Sequence, residues 1–280
     1  MSKLKNIRYS KSSLEKLLIF PDKNANKYTR GTCYVIAGSE KYPGAAILCA
    51  SAANRYGAGY TRLFTHKNNV QASAFKMPSC VCDVFENLDI PKSFESDKPH
   101  AFVVGPGFVP NCVENDDFVL KILKESKAQV VLDGGALTSL SVKKVREAIL
   151  TRASEGSSTV LTPHMGEAKL IYSFYASKQN LSQEKLAIEL ASLSGATIML
   201  KGPSTFVCNN KQIYQMKNGT PALAKAGSGD VLAGILGAVL CQNKISTFDS
   251  CVPASNLHAQ AGNLAAKELG EAFVIPEDLI

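Results

Sequence analysis

The chain has 280 residues, 45% of them hydrophobic, with no low-complexity tract, so it has enough apolar content for one sizeable core and reads as a single unit over residues 1–280. Its formal charge of +7 is scattered rather than gathered beside aromatics, which argues against a nucleic-acid partner. No apolar run approaches a membrane span, LLIF near the start is too short for a signal-peptide core, and the eight cysteines form no C-x-x-C pair, so the protein reads as cytoplasmic with buried, reduced thiols.

In chain order, CYVIAGS predicts a strand, PGAAILCASAANRYGAG a helix, and TRLFT, AFVVGPG, QVVLDGG, TVLTPH and ATIMLKG further strands with helical segments between them. Short apolar runs that each end in a turn residue or His are the pattern of a buried parallel sheet, so the chain is α/β. Ligands of such sheets gather at the carboxyl ends of the strands, which directs attention to Gly38, Ser39, Gly105, Pro106, Gly107, Asp133, His164 and Gly202. Residues 67–100, with Asn68, Asn69, Pro78, Pro91 and Pro99, form the least regular stretch and read as including a flexible surface loop. Beyond Lys201, TFVCNN and KQIYQMK predict an antiparallel hairpin turning at Asn209 to Lys211. Two apolar helices close the chain, DVLAGILGAVLCQ and VPASNLHAQAGNLAAKELG, the first apolar on nearly every face and therefore central.

The stretch AKAGSGDVLAG, Ala224 to Gly234, sets Gly227, Ser228 and Gly229 where backbone can approach a ligand and helix N–H groups point outward with the positive end of the dipole, an anion hole. Asp230 at this point has two readings: a helix cap, or a base that takes a proton from a nucleophile held beside a phosphate. TPHMGE puts His164 and Glu167 at a strand end and helix start, where they could hold a ligand group or organise water around a metal, or simply cap the helix. Lys201 in LKGPST ends an apolar strand and either meets a phosphate or snorkels to the surface. The GPG at Gly105 to Gly107 and the DGGAL at Asp133 to Leu137 have an ordinary explanation in turn geometry. The P-loop, the dinucleotide fingerprint, H-E-x-x-H and paired-cysteine zinc patterns are all missing from the sequence.

In order, YVIAGSEKYPGAAILCASAANRYGAGYTRLFT, VVGPG, VLDGGAL, VLTPHMGEAKL, MLKGPSTFV, NGTPALAKAGSGDVLAGILGAVL and HAQAGNLAAKELGEAFVIPEDLI resemble the NAD(P)H-hydrate dehydratases, which repair hydrated NADH and NADPH, over nearly all of residues 30–280. The resemblance implies a ribokinase-like fold, a central and mostly parallel sheet with helices on both faces. It makes Asp230 the base that deprotonates the ring hydroxyl, and Gly227, Ser228 and Gly229 the hole for the transferred phosphoryl group. Ala45 or its neighbour Ala46, Gly107 and His164 would line the hydrate pocket with Asp230. Lys201, Gly202, Pro203, Ser204, Thr205 and Gly229 would contact an adenine nucleotide, ADP being favoured over ATP. Magnesium is expected on the phosphates, with no protein ligand identifiable beyond Glu167 as an organiser of water or metal. A homotetramer is in keeping with the family.

The chain departs from the family pattern in three places. Gly135 stands where the family commonly has a second acidic residue, D-A-D-A-L. Lys225 and Ala226 precede Gly227 where T-G is more usual, so Lys225 is expected to add positive charge near the nucleotide. Only about 30 residues precede the first strand, so epimerase activity is expected to come from a separate enzyme. Rival readings are a thiazole or pyrimidine kinase on the same fold and a non-catalytic nucleotide-binding protein.

Overall fold

The computed structural model describes residues 4–91, 98–177, 180–242 and 244–280. Its strands are β1 Lys5–Ile7, β2 Thr32–Ile36, β3 Tyr60–Thr65, β4 Val81–Val84, β5 His100–Val104, β6 Gln129–Leu132, β7 Thr159–Leu161, β8 Thr197–Leu200, β9 Thr205–Cys208 and β10 Gln212–Met216. They join in one sheet in the order β1-β10-β9-β8-β7-β6-β5-β2-β3-β4. From β4 to β8 every pairing is parallel, β9 runs against both neighbours, and β1 lies parallel to β10 at the far edge. The fold class expected from the apolar runs is the one observed, and the β9–β10 hairpin turns where expected, with Cys208 opposite Ile213.

The helices are α1 Lys11–Glu15, α2 Pro43–Arg55, α3 Val70–Lys76, α4 Val113–Glu125, α5 Lys143–Ser154, α6 Met165–Ser173, α7 Gln183–Ser194, α8 Ser228–Cys241 and α9 Thr247–Leu269. Because successive side chains of a strand point to opposite faces, the central strands feed two cores at once. Cys33, Val35, Ala101, Val103, Val131 and Val160 pack with α2, α8 and α9 on one face. Tyr34, Ile36, Phe102, Val104, Val130, Leu132 and Leu161 pack with α4, α5, α6 and α7 on the other. Strands apolar at every position are thus required, which is why they read as continuous runs. The helix α8 is buried on every side from Val231 to Cys241, in accord with its uninterrupted apolar sequence.

Two stretches differ from expectation. Within residues 67–100 the chain forms α3 and β4, the latter parallel to β3, while residues 92–97 of that stretch lie outside the described residues. The final helix starts at Thr247, with Ser246 accepting the Asp249 N–H as its N-cap, and runs through Pro253 rather than starting beside it. All eight cysteines are free, and Cys33, Cys49, Cys208 and Cys241 are buried as expected.

Strand order reverses between β2 and β5, since β3 lies on one side of β2 and β5 on the other. A crevice opens outside the carboxyl ends of strands at such a reversal. The ends of β2, β5, β6, β7 and β8 deliver Gly38, Gly105, Asp133, Thr162 and Lys201 to that rim, and α8 packs across β2, β5 and β6 with its N-terminus facing it.

Candidate active site

The turn before α8 is set by Gly227, whose φ of 99° is the left-handed conformation that favours glycine. A Cβ there would also fall 2.8 Å from Leu48 Cδ1 and 3.0 Å from Pro276 Cγ, so the C-terminal segment presses on this turn. No side chain caps the helix, and Val231 is the first residue whose N–H bonds back along it, to Gly227 O at 3.1 Å. The N–H groups of Gly229 and Asp230 therefore lack an intrahelical acceptor and point out with the dipole, which is an anion site by geometry. Behind it, Ser228 Oγ lies 3.0 Å from His258 Nε2 of α9, both buried. Burial pushes the His258 pKa down to about 4, so a neutral imidazole backs the turn at physiological pH.

Asp230 is not the N-cap; Gly227 holds that position and Asp230 sits three residues into the helix. Its carboxyl pKa is pushed up to about 7, first by burial and then by the nearby Asp133 carboxylate, with Lys201 opposing both. A carboxylate poised near neutrality beside an anion site is placed to accept a proton from a hydroxyl held there.

The charges around Asp230 form a compact set. Lys201 Nζ pairs with Asp133 Oδ1 at 2.8 Å, and the same oxygen accepts the Thr162 hydroxyl at 2.6 Å. Burial alone would lower the lysine pKa, but Asp133 and Glu167 outweigh it and the net shift is upward, so Lys201 is firmly cationic. Its ammonium reaches α8, because a Cβ on Gly229 would lie 3.3 Å from Nζ.

Glu167 and His164 form a reciprocal capping box at the start of α6. The His164 N–H donates to Glu167 Oε2 at 2.8 Å, and the N–H groups of Gly166 and Glu167 donate to His164 Nδ1 at 3.0 and 3.3 Å. With Nδ1 accepting, the ring proton is on Nε2, 3.4 Å from Glu167 Oε1. Capping is thus the observed task of the pair, while the imidazole remains largely exposed at the rim. Burial raises the Glu167 pKa, with Lys201 acting against it.

The opposite wall is neutral and made of small residues. A Cβ on Gly107 would lie 2.6 Å from Ala45 Cβ and 2.8 Å from Tyr42 O, so the turn after β5 lies directly against the start of α2. Ala45 keeps an open face, whereas Ala46 is fully buried behind Gly38, so of the two alanines only Ala45 can line a pocket. Gly105 and Gly135 interlock the GPG and DGG turns: a Cβ on Gly105 would fall 2.1 Å from Asp133 O, and one on Gly135 would fall 2.4 Å from Phe108 O. An aspartate at 135 is therefore excluded by main chain as this backbone stands.

The 201–204 loop presents Gly202 and Pro203 outward, Ser204 is half-buried, and Thr205 is buried as the first residue of β9. Gln183 of α7 shapes this loop, donating to Leu200 O at 3.3 Å and Ser204 O at 2.8 Å. Lys225 is tied to Ala272 O at 3.2 Å, anchoring the exposed loop to the C-terminal segment. Among the described residues no group of three or more His, Cys, Asp or Glu is arranged to hold a metal, and the cation among the site carboxylates is Lys201. Asp133 is the residue that sequence reading placed at a strand end without giving it a task. The signal available was a carboxylate directly after the fully buried run Val130 to Leu132, which is costly without a partner.

A profile of the NAD(P)H-hydrate dehydratase family matches residues 33–280. The chain belongs to this family. It is 36% identical over 252 residues to the bifunctional NAD(P)H-hydrate repair enzyme Nnr of Gloeobacter violaceus, a match covering 87% of this chain and 47% of that one. The chain spans about half the length of this and other bifunctional relatives that it matches. It is 29% identical to the ADP-dependent (S)-NAD(P)H-hydrate dehydratase of Streptococcus pneumoniae, with 95% of this chain and 89% of that one covered. The crystal structure of an ADP/ATP-dependent NAD(P)H-hydrate dehydratase from Bacillus subtilis, co-crystallised with ATP and magnesium, superposes with a TM-score of 0.83 at 23% identity, covering 100% and 96% of the two chains. The ribokinase-like fold expected for a hydrate dehydratase is the fold of this chain.

Proposed function

We propose that this family member dehydrates (6S)-hydrated NADH and NADPH at the rim between β5, β6, β8 and the N-terminus of α8, using a phosphoryl group from ADP, with ATP as the alternative donor. The observation that carries the reading is Asp230, a carboxyl raised to about 7 beside the unpaired N–H groups that begin α8. Asp230 takes the proton of the ring hydroxyl as that oxygen attacks the terminal phosphorus, and AMP departs from ADP with the bonding electron pair. Hydroxide is a poor leaving group and phosphate a good one, so the phosphorylated ring expels phosphate as the nitrogen lone pair moves in. Loss of a proton from the adjacent ring carbon restores the dihydropyridine, and the net change is hydrate plus ADP to NAD(P)H, AMP and phosphate. The Gly227 to Gly229 turn would hold the phosphoryl group throughout, the protein's part being orientation and charge stabilisation.

In this reading Ala45, Gly107 and His164 line the hydrate pocket, and residues 201–205 hold the nucleotide. Magnesium enters on the nucleotide phosphates, with Glu167 at the rim as an organiser of its water. A homo-oligomer is supported by the exposed apolar side chains Leu264, Leu269, Phe273 and Ile275 near the C-terminus. A cytoplasmic location is in keeping with the reduced, mostly buried thiols, and no described helix is long and apolar enough to cross a membrane.

The test is to incubate the protein with hydrated NADH, magnesium and either ADP or ATP, following the return of reduced-nicotinamide absorbance and the nucleotide product. Return that requires ADP and yields equal AMP and phosphate is expected. A stable phosphorylated product of another alcohol, with no return of NADH, would mark a small-molecule kinase instead; nucleotide binding without any product would mark a binding protein.

A further inference from the structure

Thr162, Asp133 and Lys201 form a hydrogen-bonded chain across the ends of β7, β6 and β8, in which Lys201 has a part above as a nucleotide contact while Thr162 and Asp133 have none. Asp133 Oδ1 receives the Thr162 hydroxyl at 2.6 Å and the Lys201 ammonium at 2.8 Å. The aspartate side chain is 4% exposed and the lysine side chain 20%, so the anchor is closed off while the charge it holds still reaches the rim. Lys201 leads into an exposed loop at Gly202 and Pro203, and its four-carbon stem has no rigidity of its own. Yet its ammonium stands 3.3 Å from the Cβ position of Gly229, against the turn that forms the anion site.

We propose that Asp133 is a positioning residue that fixes the Lys201 ammonium beside the N-terminus of α8, so that Lys201 serves as the resident cation on the transferred phosphoryl group. The inference rests on the dehydratase reading of this site. Charge balance favours such a cation beside the magnesium that the nucleotide carries. Asp133 at the end of β6, Glu167 on α6 and Asp230 on α8 bring three carboxylates to one place; among the described residues Lys201 is the lysine paired within this set, while the exposed His164 imidazole lies 3.4 Å from Glu167 at its edge. His258 of α9 is neutral above about pH 4 and adds no positive charge, and burial pushes the Cys49 thiol of α2 far above its ordinary range, so it adds no negative one. A phosphoryl group entering this set without a fixed ammonium would meet net repulsion. Holding the lysine by a buried carboxylate, itself held by a threonine, removes the reorganisation that a free side chain would undergo as charge develops.

The experiment is steady-state kinetics of the full chain with hydrated NADH and ADP across pH 5 to 9 for wild type, Asp133→Asn, Lys201→Met and Thr162→Val. Asp133→Asn is expected to lower kcat about 30- to 100-fold while the KM for nucleotide stays within about threefold. Its acidic limb in kcat/KM should move to lower pH, because Asp230 loses the anion that raises it; in Lys201→Met the limb should move to higher pH, because Asp230 loses the cation that lowers it. Opposed shifts show that both charges act on Asp230, and the fall in kcat at a nearly unchanged KM is the readout that a purely structural ion pair would not give. Thr162→Val keeps both charges, and if Asp133→Asn does not fold it carries the test with a kcat loss of about three- to tenfold. Near-normal kcat in Asp133→Asn or Thr162→Val, or a limb that stays fixed in both charge variants, would overturn the proposal. A wild type that regenerates no NADH with either nucleotide would remove the dehydratase reading and the proposal with it, an outcome distinct from those seen in variants alone.

Discussion

The two walls of the cleft are built on opposite principles. One, at Gly38, Ala45 and Gly107, has no charge and only small side chains; its shape comes from glycine backbone packed against alanine methyls, the Thr65 hydroxyl and the Tyr42 carbonyl too closely to admit a Cβ. The other, at Asp133, Glu167, Lys201 and Asp230, is held by ion pairs and hydrogen bonds, and its members shift one another's protonation. The neutral wall suits a flat, bulky ring that must be admitted and oriented, and the charged wall suits a group that moves with its charge. Disturbing the first should alter binding and stability, whereas disturbing the second should alter turnover.

The largest effect that would sharpen this contrast is expected at Asp230. Asp230→Asn should lower kcat by about a thousandfold or more while nucleotide binding, measured by calorimetry, is retained. The same variant should be the more stable protein at neutral pH. The folded pKa of this carboxyl lies at about 7, above its ordinary 3.8, so ionisation disfavours the fold. The penalty is absent below the unfolded value, grows as the pH rises between the two values, and is complete above the folded one. Urea denaturation at pH 8 should therefore favour Asp230→Asn by on the order of 1–3 kcal/mol, with the difference fading toward pH 4.

Next in size is Gly135→Asp, which restores the acid common in the family. A Cβ there would meet Phe108 O at 2.4 Å, so the variant should lose about 3 kcal/mol or more in urea denaturation without a gain in kcat. A stable and faster Gly135→Asp would break the account of this wall. Gly229→Ala is milder, because the atom it meets is the flexible end of Lys201 at 3.3 Å; kcat should fall about tenfold with stability changed by less than about 1 kcal/mol. Smallest is Ala45→Val, expected to raise the KM for hydrated NADH about five- to tenfold and leave kcat within about threefold.

The ease of reading the sequence followed the same physical division. Strand ends were legible because each buried run stops abruptly at a turn residue, and α8 was legible because a helix buried on every side has no polar face. The cap reading of Asp230 stayed open until the backbone showed Gly227 in the N-cap position, since a motif does not reveal which residue leaves the helical conformation first. The last helix was read from Val252, yet Ser246 supplies the cap six residues earlier. Pairings between distant segments were hidden: β1 joins β10, and Asp133 meets Lys201 across 68 positions. Ala45 and Ala46 could not be told apart by sequence, because one position of helical rotation separates the cleft from the core.

The most direct test of the central claim is the pH dependence of kcat/KM for wild-type dehydration of hydrated NADH with ADP. The account predicts an acidic limb with its midpoint near 7, set by the Asp230 carboxyl, and no such limb in the residual activity of Asp230→Asn. A flat wild-type profile between pH 5 and 9, or the same limb persisting in the variant, would contradict Asp230 as the group that takes the proton.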